Sequence, residues 1–250
     1  MNSPPELVEA VRAASHVVVM TGAGISAESG VPTFRDAQTG LWAQYDPEEL
    51  ATPGAFRRNP RLVWDWYSWR RELVSQAEPN PGHFALVQLA AHIPQLTLIT
   101  QNVDGLHQRA GSQNVIELHG NILRAKCSAD GRIITAWPET SETPPPCPEC
   151  GAPLRPDVVW FGEALPMLAL NQAARAAEQG DLFLSIGTSA LVHPAASLAH
   201  IALQRGAVVA EINLEPTPLT AAATIAWHGP AGQLLPQLLR DAFPADAFPE

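Results

Sequence analysis

Residues 16–35 read HVVVMTGAGISAESGVPTFR, an apolar, β-branched run from His16 to Met20 that passes straight into a glycine-rich turn. A strand ending in this way delivers backbone N–H groups to an anion. Gly22, Gly24 and Ala27 fit the spacing G-x-G-x-x-G/A. There the first glycine turns sharply, the second lets a pyrophosphate approach the backbone, and the small third residue packs helix against strand. Ala23 lies between the glycines, and the N-terminus of the following helix attracts anions. The same residues would also suit a tight strand-to-helix turn that needs glycine only for its positive φ. A dehydrogenase would run on through a helix to a second strand ending in an acid for the adenine ribose. Here the chain instead reaches Gly30, Pro32 and then Phe34, Arg35 and Asp36, an aromatic and a cation beside the phosphates. The cofactor is gripped differently.

At 250 residues the chain should bury about three-quarters of its unfolded surface, enough for one large domain with a small insertion. Its 46% hydrophobic and 16% charged residues are globular values. A formal charge of −10 argues against nucleic acid as a partner, because phosphate contacts need clustered Lys and Arg. Neither the N-terminal MNSPPELVEAVRAA nor HVVVM is an apolar stretch of signal-peptide or membrane-spanning length, so no membrane partner and a cytoplasmic location are expected. Three cysteines, two in a C-x-x-C, suit a reduced compartment and a metal better than a disulfide framework.

Apolar strand candidates at 16–20, 96–100, 114–118, 182–186 and 207–213 alternate with helical patterns at 167–179 and 194–205. The fold class expected is α/β, a Rossmann-like parallel sheet with helices on both faces. It carries a smaller insertion domain made of two stretches that break the alternation. The first, 45–80, is helical and aromatic; Asn59-Pro60 reads as an N-cap with proline at the first helical position. Its apolar stripe is Leu62, Trp66, Trp69 and Leu73, with Val63, Tyr67, Arg70 and Val74 beside it. The second, 123–156, holds all the cysteines and the proline-rich TPPPCPEC. Together they form one domain over 1–250. Motif blocks follow the runs ending at 20, 100, 118 and 186, which places them at the carboxyl ends of the strands, where open α/β sheets bind ligands.

Several residues carry chemistry. His119 follows VIEL and precedes Gly120, so it should emerge at a strand end, where a histidine is the natural general base near neutral pH. TQNVDG, from Thr100 to Gly105, reads on its own as a polar turn. Cys127, Cys147 and Cys150 are three of the four thiolates of a tetrahedral zinc site, and Asp130 stands where the missing one would be. Zinc on three cysteines with Asp130 or water, and a metal-free module packed by its prolines, both remain open. Tyr67 and Arg70 lie three apart on a helix and so share a face. A phenol beside a guanidinium forms a carboxylate receptor, although a solvated arginine paired with Asp65 has the same spacing.

The blocks TGAGISAESGVPTFR, TQNVDGLHQRAG, ELHG, GTS (187–189) and INLE (212–215) together resemble the sirtuins, NAD-dependent protein-lysine deacylases, in family order over nearly the whole chain. The resemblance implies NAD as cofactor and acyl-lysine proteins or peptides as substrates. The acyl oxygen attacks the nicotinamide ribose, nicotinamide leaves, and the acyl group ends on the 2′-oxygen of ADP-ribose, with His119 as base. It further implies Asn102, Val103 and Asp104 at the nicotinamide, Gln101 at the ribose, Phe34 shielding the ribose face and Arg35 on cofactor phosphate. Gly187, Thr188 and Ser189, with Asn213, Leu214 and Glu215, would hold the adenosine half, and Ala231 would touch adenine. VVWFGE (158–163) and LVHP (191–194) resemble the two walls of the peptide cleft, with Val159, Phe161, Gly162, Glu163 and Val192 as substrate contacts. Tyr67 and Arg70, with Ala51 as the small residue opening the pocket, resemble class III, the succinyl- and malonyl-preferring subgroup. An NAD-linked oxidoreductase and a non-catalytic NAD or ADP-ribose sensor are the competing readings.

Overall fold

A computed structural model of the protein describes residues 2–31, 45–137 and 141–244. In chain order its described elements are α1 (Pro5–Ala13), β1 (His16–Thr21), α2 (Ala23–Ala27), α3 (Pro47–Leu50), α4 (Pro53–Arg58), α5 (Pro60–Gln76), α6 (Pro81–His92), β2 (Gln95–Thr100), α7 (Leu106–Ala110), β3 (Ile116–Glu117), β4 (Gly120–Cys127), β5 (Ile133–Ile134), β6 (Leu154–Val158), α8 (Met167–Gln179), β7 (Leu182–Ile186), α9 (Ser197–Gln204), β8 (Val208–Asn213), β9 (Ile225–His228) and α10 (Ala231–Ala242).

The main sheet is parallel and six-stranded, in the order β3-β2-β1-β7-β8-β9. Every residue of β1 is buried. Val17 and Val19 pack with Leu7 of α1, Leu86 of α6 and Leu235 of α10, while Val18 and Met20 pack with Ala173 and Ala177 of α8 and Leu198 of α9. Helices on both faces are why HVVVM is uniformly apolar. The chain winds away from β1 in both directions, so the carboxyl end of β1 is the switch point where a crevice opens.

Two expected elements differ in extent. The run 114–118 yields only the two-residue β3, an edge strand pairing Ile99 and Thr100. Of VVWFGE only Val158 lies in a strand, the last residue of β6. β9, four residues at the opposite edge and only partly buried, left no periodicity to read.

β4 pairs antiparallel with β5 and β6 in a separate small sheet. α5 lies against it. The Asn59 side chain accepts the Leu62 N–H at 3.0 Å and starts the helix. Its buried face keeps Trp66 of the expected stripe and the four residues expected beside it, Val63, Tyr67, Arg70 and Val74, whereas Leu62 and Trp69 are only partly buried and Leu73 is 37% exposed. The reason is that α5 is covered on two sides. Trp64 is buried away from that face, with Cys127 and Cys147. Arg71 donates to the Ile122 carbonyl at 2.8 Å and stacks on Trp64 and Trp137 at 5.2 and 5.1 Å, fastening α5 to β4.

Candidate active site

A cleft of about 590 Å³ opens at the carboxyl ends of β1, β2, β3 and β7, a size usual for cofactor sites. Its floor is the crossing of two glycine turns. Gly22 N–H donates to Ile186 O at 3.0 Å and Gly24 N–H to Gly187 O at 2.9 Å. A β-carbon on Gly22 would lie 2.7 Å from that same carbonyl. The glycines are therefore demanded first by each other. Ala27 departs from expectation: it is exposed and does not line the cleft, and Ile25 packs α2 into the core in its place. The helix turns once and stops at Ala27, so the third small residue has no long helix to seat against the sheet.

Four of the polar-loop residues, Gln101, Asn102, Val103 and Asp104, line the cleft. Asn102 donates from its amide nitrogen to Gly22 O at 3.0 Å and to Ser26 Oγ at 3.1 Å, which leaves its amide oxygen as an acceptor. Asp104 is buried, and burial raises its pKa. One oxygen accepts from Ser26 Oγ at 2.7 Å and the other from the Leu106 N–H at 2.9 Å. The loop is thus a polar turn closed by its own aspartate that also lines the cleft.

His119 stands between β3 and β4. Gly120 follows at φ +81°, where a β-carbon would overlap the Asp157 carbonyl at 2.2 Å. His119 Nδ1 lies 2.9 Å from Gln101 O. A carbonyl can only accept, so Nδ1 carries the proton and Nε2 keeps its lone pair. Burial lowers the pKa of the ring, offset in part by that carbonyl. At neutral pH the imidazole is an uncharged base.

Gly187, Thr188, Ser189 and Asn213 also line the cleft. The Thr188 hydroxyl turns inward to Ser185 Oγ at 3.0 Å, while its carbonyl accepts from Asn213 Nδ2 at 2.8 Å. Leu214 and Glu215 are exposed outside the cleft, and Ala231 is buried at the start of α10. Phe34 and Arg35 lie outside the described residues. Val159, Phe161, Gly162, Glu163 and Val192 line the cleft as well. Val159 N–H donates to His119 O and Phe161 N–H to Ala51 O, both at 2.9 Å.

Tyr67, Arg70 and Ala51 line the same cleft. Tyr67 accepts a hydrogen bond from Trp160 Nε1 at 3.1 Å, and burial raises its pKa, keeping it a neutral phenol. Arg70 is only 9% exposed, with its guanidinium 5.3 Å above the Trp66 ring. Asp65 pairs instead with Arg61, at 3.7 Å, so the solvated-arginine reading does not describe Arg70.

The sulfurs of Cys127, Cys147 and Cys150 all lie within 4.8 Å of one another, and none is in a disulfide. Cys127 and Cys150 are 3.5 Å apart, close to the separation of about 3.8 Å that tetrahedral ligands at 2.3 Å from zinc would have. The three thiols fit a zinc ion. Asp130 is not part of that group; its carboxylate accepts from the Arg132 N–H at 3.0 Å, pairs with that guanidinium at 3.4 Å and borders the Cys127 thiol.

Sequence reading missed Ser26, which joins Asn102 to Asp104, and Trp160, whose indole reaches Tyr67. It also missed a buried chain behind the floor, in which Thr21 Oγ1 donates to Thr100 Oγ1 at 2.9 Å and meets His107 Nε2 at 2.8 Å. The His107 ring in turn packs, tilted, 4.9 Å from that of His83. Ser26 stands inside the quoted glycine motif, and only its partners across the crevice show its use.

The Sir2 family model matches residues 22–194. The NAD-dependent protein deacylase 2 of Pyrobaculum aerophilum is 54% identical over 226 residues, covering 90% of each chain. A crystal structure of a Sir2 homologue–NAD complex superposes with a TM-score of 0.91 at 45% identity, over 98% of this chain and 95% of that one. A Sir2 homologue mutant in complex with 2′-O-acetyl ADP ribose superposes with a TM-score of 0.90 at 45% identity, covering 98% of this chain and 99% of that chain. The oxidoreductase and sensor readings give way to this match: the chain belongs to the Sir2 family and is an NAD-dependent protein deacylase.

Proposed function

We propose that this deacylase prefers acidic acyl groups, succinyl and malonyl, on protein lysines, with acetyl as a poorer substrate. The observation that carries the proposal is that Tyr67 and Arg70, one helical turn apart and both buried, line the same cleft as His119. A buried guanidinium beside a neutral phenol offers a fork and a further donor to a carboxylate. Ala51, a small residue lining the same cleft, leaves room for the acyl chain.

Bound NAD would supply the electrophilic ribose carbon and the nicotinamide leaving group; with one water consumed, the products are nicotinamide, the free lysine and 2′-O-acyl-ADP-ribose. His119 acts through Nε2, taking a proton from a ribose hydroxyl while Gln101 O holds Nδ1–H in place. Asn102 and Asp104 orient the nicotinamide amide, Val103 packs on its ring and Gln101 serves the ribose. Phe34 keeps water from the reacting face, and Arg35 binds phosphate. Gly22, Ala23 and Gly24, with Gly187, Thr188 and Ser189, seat the pyrophosphate side, and Ala27 closes the short helix behind them. Asn213, Leu214, Glu215 and Ala231 hold the adenosine.

The substrate strand lies between residues 159–163 and Val192. The Val159 and Phe161 N–H groups already bond within the chain, so pairing with the substrate backbone falls to the remaining groups there, a mode tolerant of peptide sequence. The whole chain acts as one catalytic domain, with 45–80 and 123–156 as insertions. Cys127, Cys147 and Cys150 hold one structural zinc, and Asp130 or water completes it. Three cysteines free of disulfides support a cytoplasmic location. Among the described residues no helix is long and apolar enough to cross a membrane.

The experiment is incubation with NAD and a panel of acetyl-, malonyl-, succinyl- and glutaryl-lysine peptides, with products read by mass. A kcat/KM for acetyl peptides equal to or above that for succinyl peptides overturns the acidic-acyl preference.

A further inference from the structure

Trp160 is buried between the peptide side of the cleft and α5, where it has three separate attachments. Its backbone N–H donates to Glu163 Oε2 at 2.8 Å. Arg155, held by Glu163 through contacts of 2.6 and 2.9 Å, sets its guanidinium carbon 3.3 Å from the centre of the indole ring. Phe56 packs on the ring at 5.3 Å. Backbone, face and flank are all fixed, so the indole has one orientation, and in it Nε1–H points at the Tyr67 hydroxyl oxygen 3.1 Å away.

A phenol oxygen has one proton to give and lone pairs to receive. With one lone pair taken by the indole, the O–H is turned away from Trp160. Tyr67 is itself fixed by an edge-on contact with Trp66 at 4.6 Å, so the only freedom left to it is rotation of the hydroxyl, and the indole N–H removes that freedom. We infer that Trp160 is a positioning residue for acyl specificity: its indole N–H orients the Tyr67 hydroxyl so that the phenol proton meets the distal carboxylate of the acyl group beside Arg70. This rests on the acidic-acyl reading. Trp160 touches no reacting atom and acts through Tyr67.

The test is a kinetic cycle of Trp160→Phe, Tyr67→Phe and the double variant on succinyl and acetyl peptides, with Arg70→Met measured alongside. Phenylalanine keeps a ring for Arg155 to stack on and removes the N–H donor together with part of the indole. Losing one neutral hydrogen bond should lower the succinyl-to-acetyl ratio of 1/KM about five-fold. The ratio of kcat values should stay level, because the Tyr67 hydroxyl meets the distal carboxylate and takes no part in the proton transfer at His119. The double variant should be no worse in that ratio than Tyr67→Phe alone. Independent losses that multiply, or an equal fall on both substrates, overturn the inference while an Arg70→Met effect confined to succinyl leaves the acidic-acyl reading standing. If Arg70→Met also lowers both substrates alike, the reading itself fails and takes the inference with it. Because Trp160→Phe leaves space in a packed core, the hydrogen bond is also checked in the Tyr67→Phe protein. There the Trp160 indole N–H proton resonance should move upfield, and an unmoved resonance shows that the bond orients nothing.

Discussion

Gly24 and Gly187 cross so closely that a β-carbon on Gly24 would lie 2.7 Å from the Gly187 Cα, and one on Gly187 would lie 2.5 Å from the Ile25 nitrogen. The cofactor turn and the turn after β7 are thus one interlocked unit. Gly24→Ala should cost about 1–3 kcal/mol by overpacking, which in a chain of this size is a fall in melting temperature of about 2–12 °C. Gly187→Ala should cost more, since its φ of +60° also disfavours a side chain. Thermal unfolding and NAD titration check this; a melting temperature and Kd both at wild-type values would show that the turns can separate freely.

His119→Ala should lower deacylation about 10²–10⁴-fold, the usual worth of a positioned base, with NAD affinity largely kept. Burial lowers the pKa of the ring, so the active, neutral form persists below pH 6.5 and is lost only as pH falls through the lowered value. The acid limb of kcat/KM in the wild type should accordingly lie below the ordinary histidine pKa. Turnover of the alanine variant within a few-fold of wild type removes His119 from the mechanism.

Arg70→Met removes one partner of a buried charge pair with the succinyl carboxylate, a loss on the order of 2–5 kcal/mol. The succinyl-to-acetyl ratio of kcat/KM should drop about 30-fold or more. Tyr67→Phe should shift the ratio in the same direction by less, as a single neutral donor is lost. An unchanged ratio means that Arg70 serves the helix rather than the acyl group.

Protein purified without chelator should hold at most one zinc per chain, and with three thiolates it should surrender it to chelator more readily than a four-cysteine site does. Trp64 shares one buried cluster with Cys127 and Cys147, so metal removal should change tryptophan fluorescence and lower the melting temperature. Elemental analysis showing no zinc would mean that packing alone holds the module.

His83 and His107 are buried, with His83 Nε2 and His107 Nδ1 lacking hydrogen-bond partners among the described residues. Burial lowers their pKa values to about 4 and about 3. In the unfolded chain both titrate near 6.5, so below that pH the unfolded state binds protons that the folded state refuses. Their neutral burial is harmless above pH 6.5, and each should remove about 1.4 kcal/mol of stability per pH unit as pH falls from there towards 4. Denaturant unfolding between pH 7 and 4.5 measures the slope, and His83→Gln should flatten it; an equal slope in the variant places the acid sensitivity elsewhere.

The sequence by itself determined the fold class and the floor of the site. A run such as HVVVM has only one stable home, the middle of a parallel sheet covered on both faces, and the motif blocks that follow such runs must then share the edge where the strands end. Local patterns of this kind are legible because β-strand burial and glycine turns are dictated by a residue and its immediate neighbours. The tertiary structure alone decided which groups are free to act. It turned α5 so that Arg70 faces the cleft and Trp64 the cysteines, because a helix covered on two sides has no single stripe. It left Ala27 exposed, gave the Thr188 hydroxyl to Ser185, made Asp104 a partner of Ser26, and placed the Trp160 indole against Tyr67 across 93 residues of chain. These contacts join segments far apart in sequence, and a hydrogen bond between them depends on distances of a few tenths of an ångström that no spacing along the chain encodes.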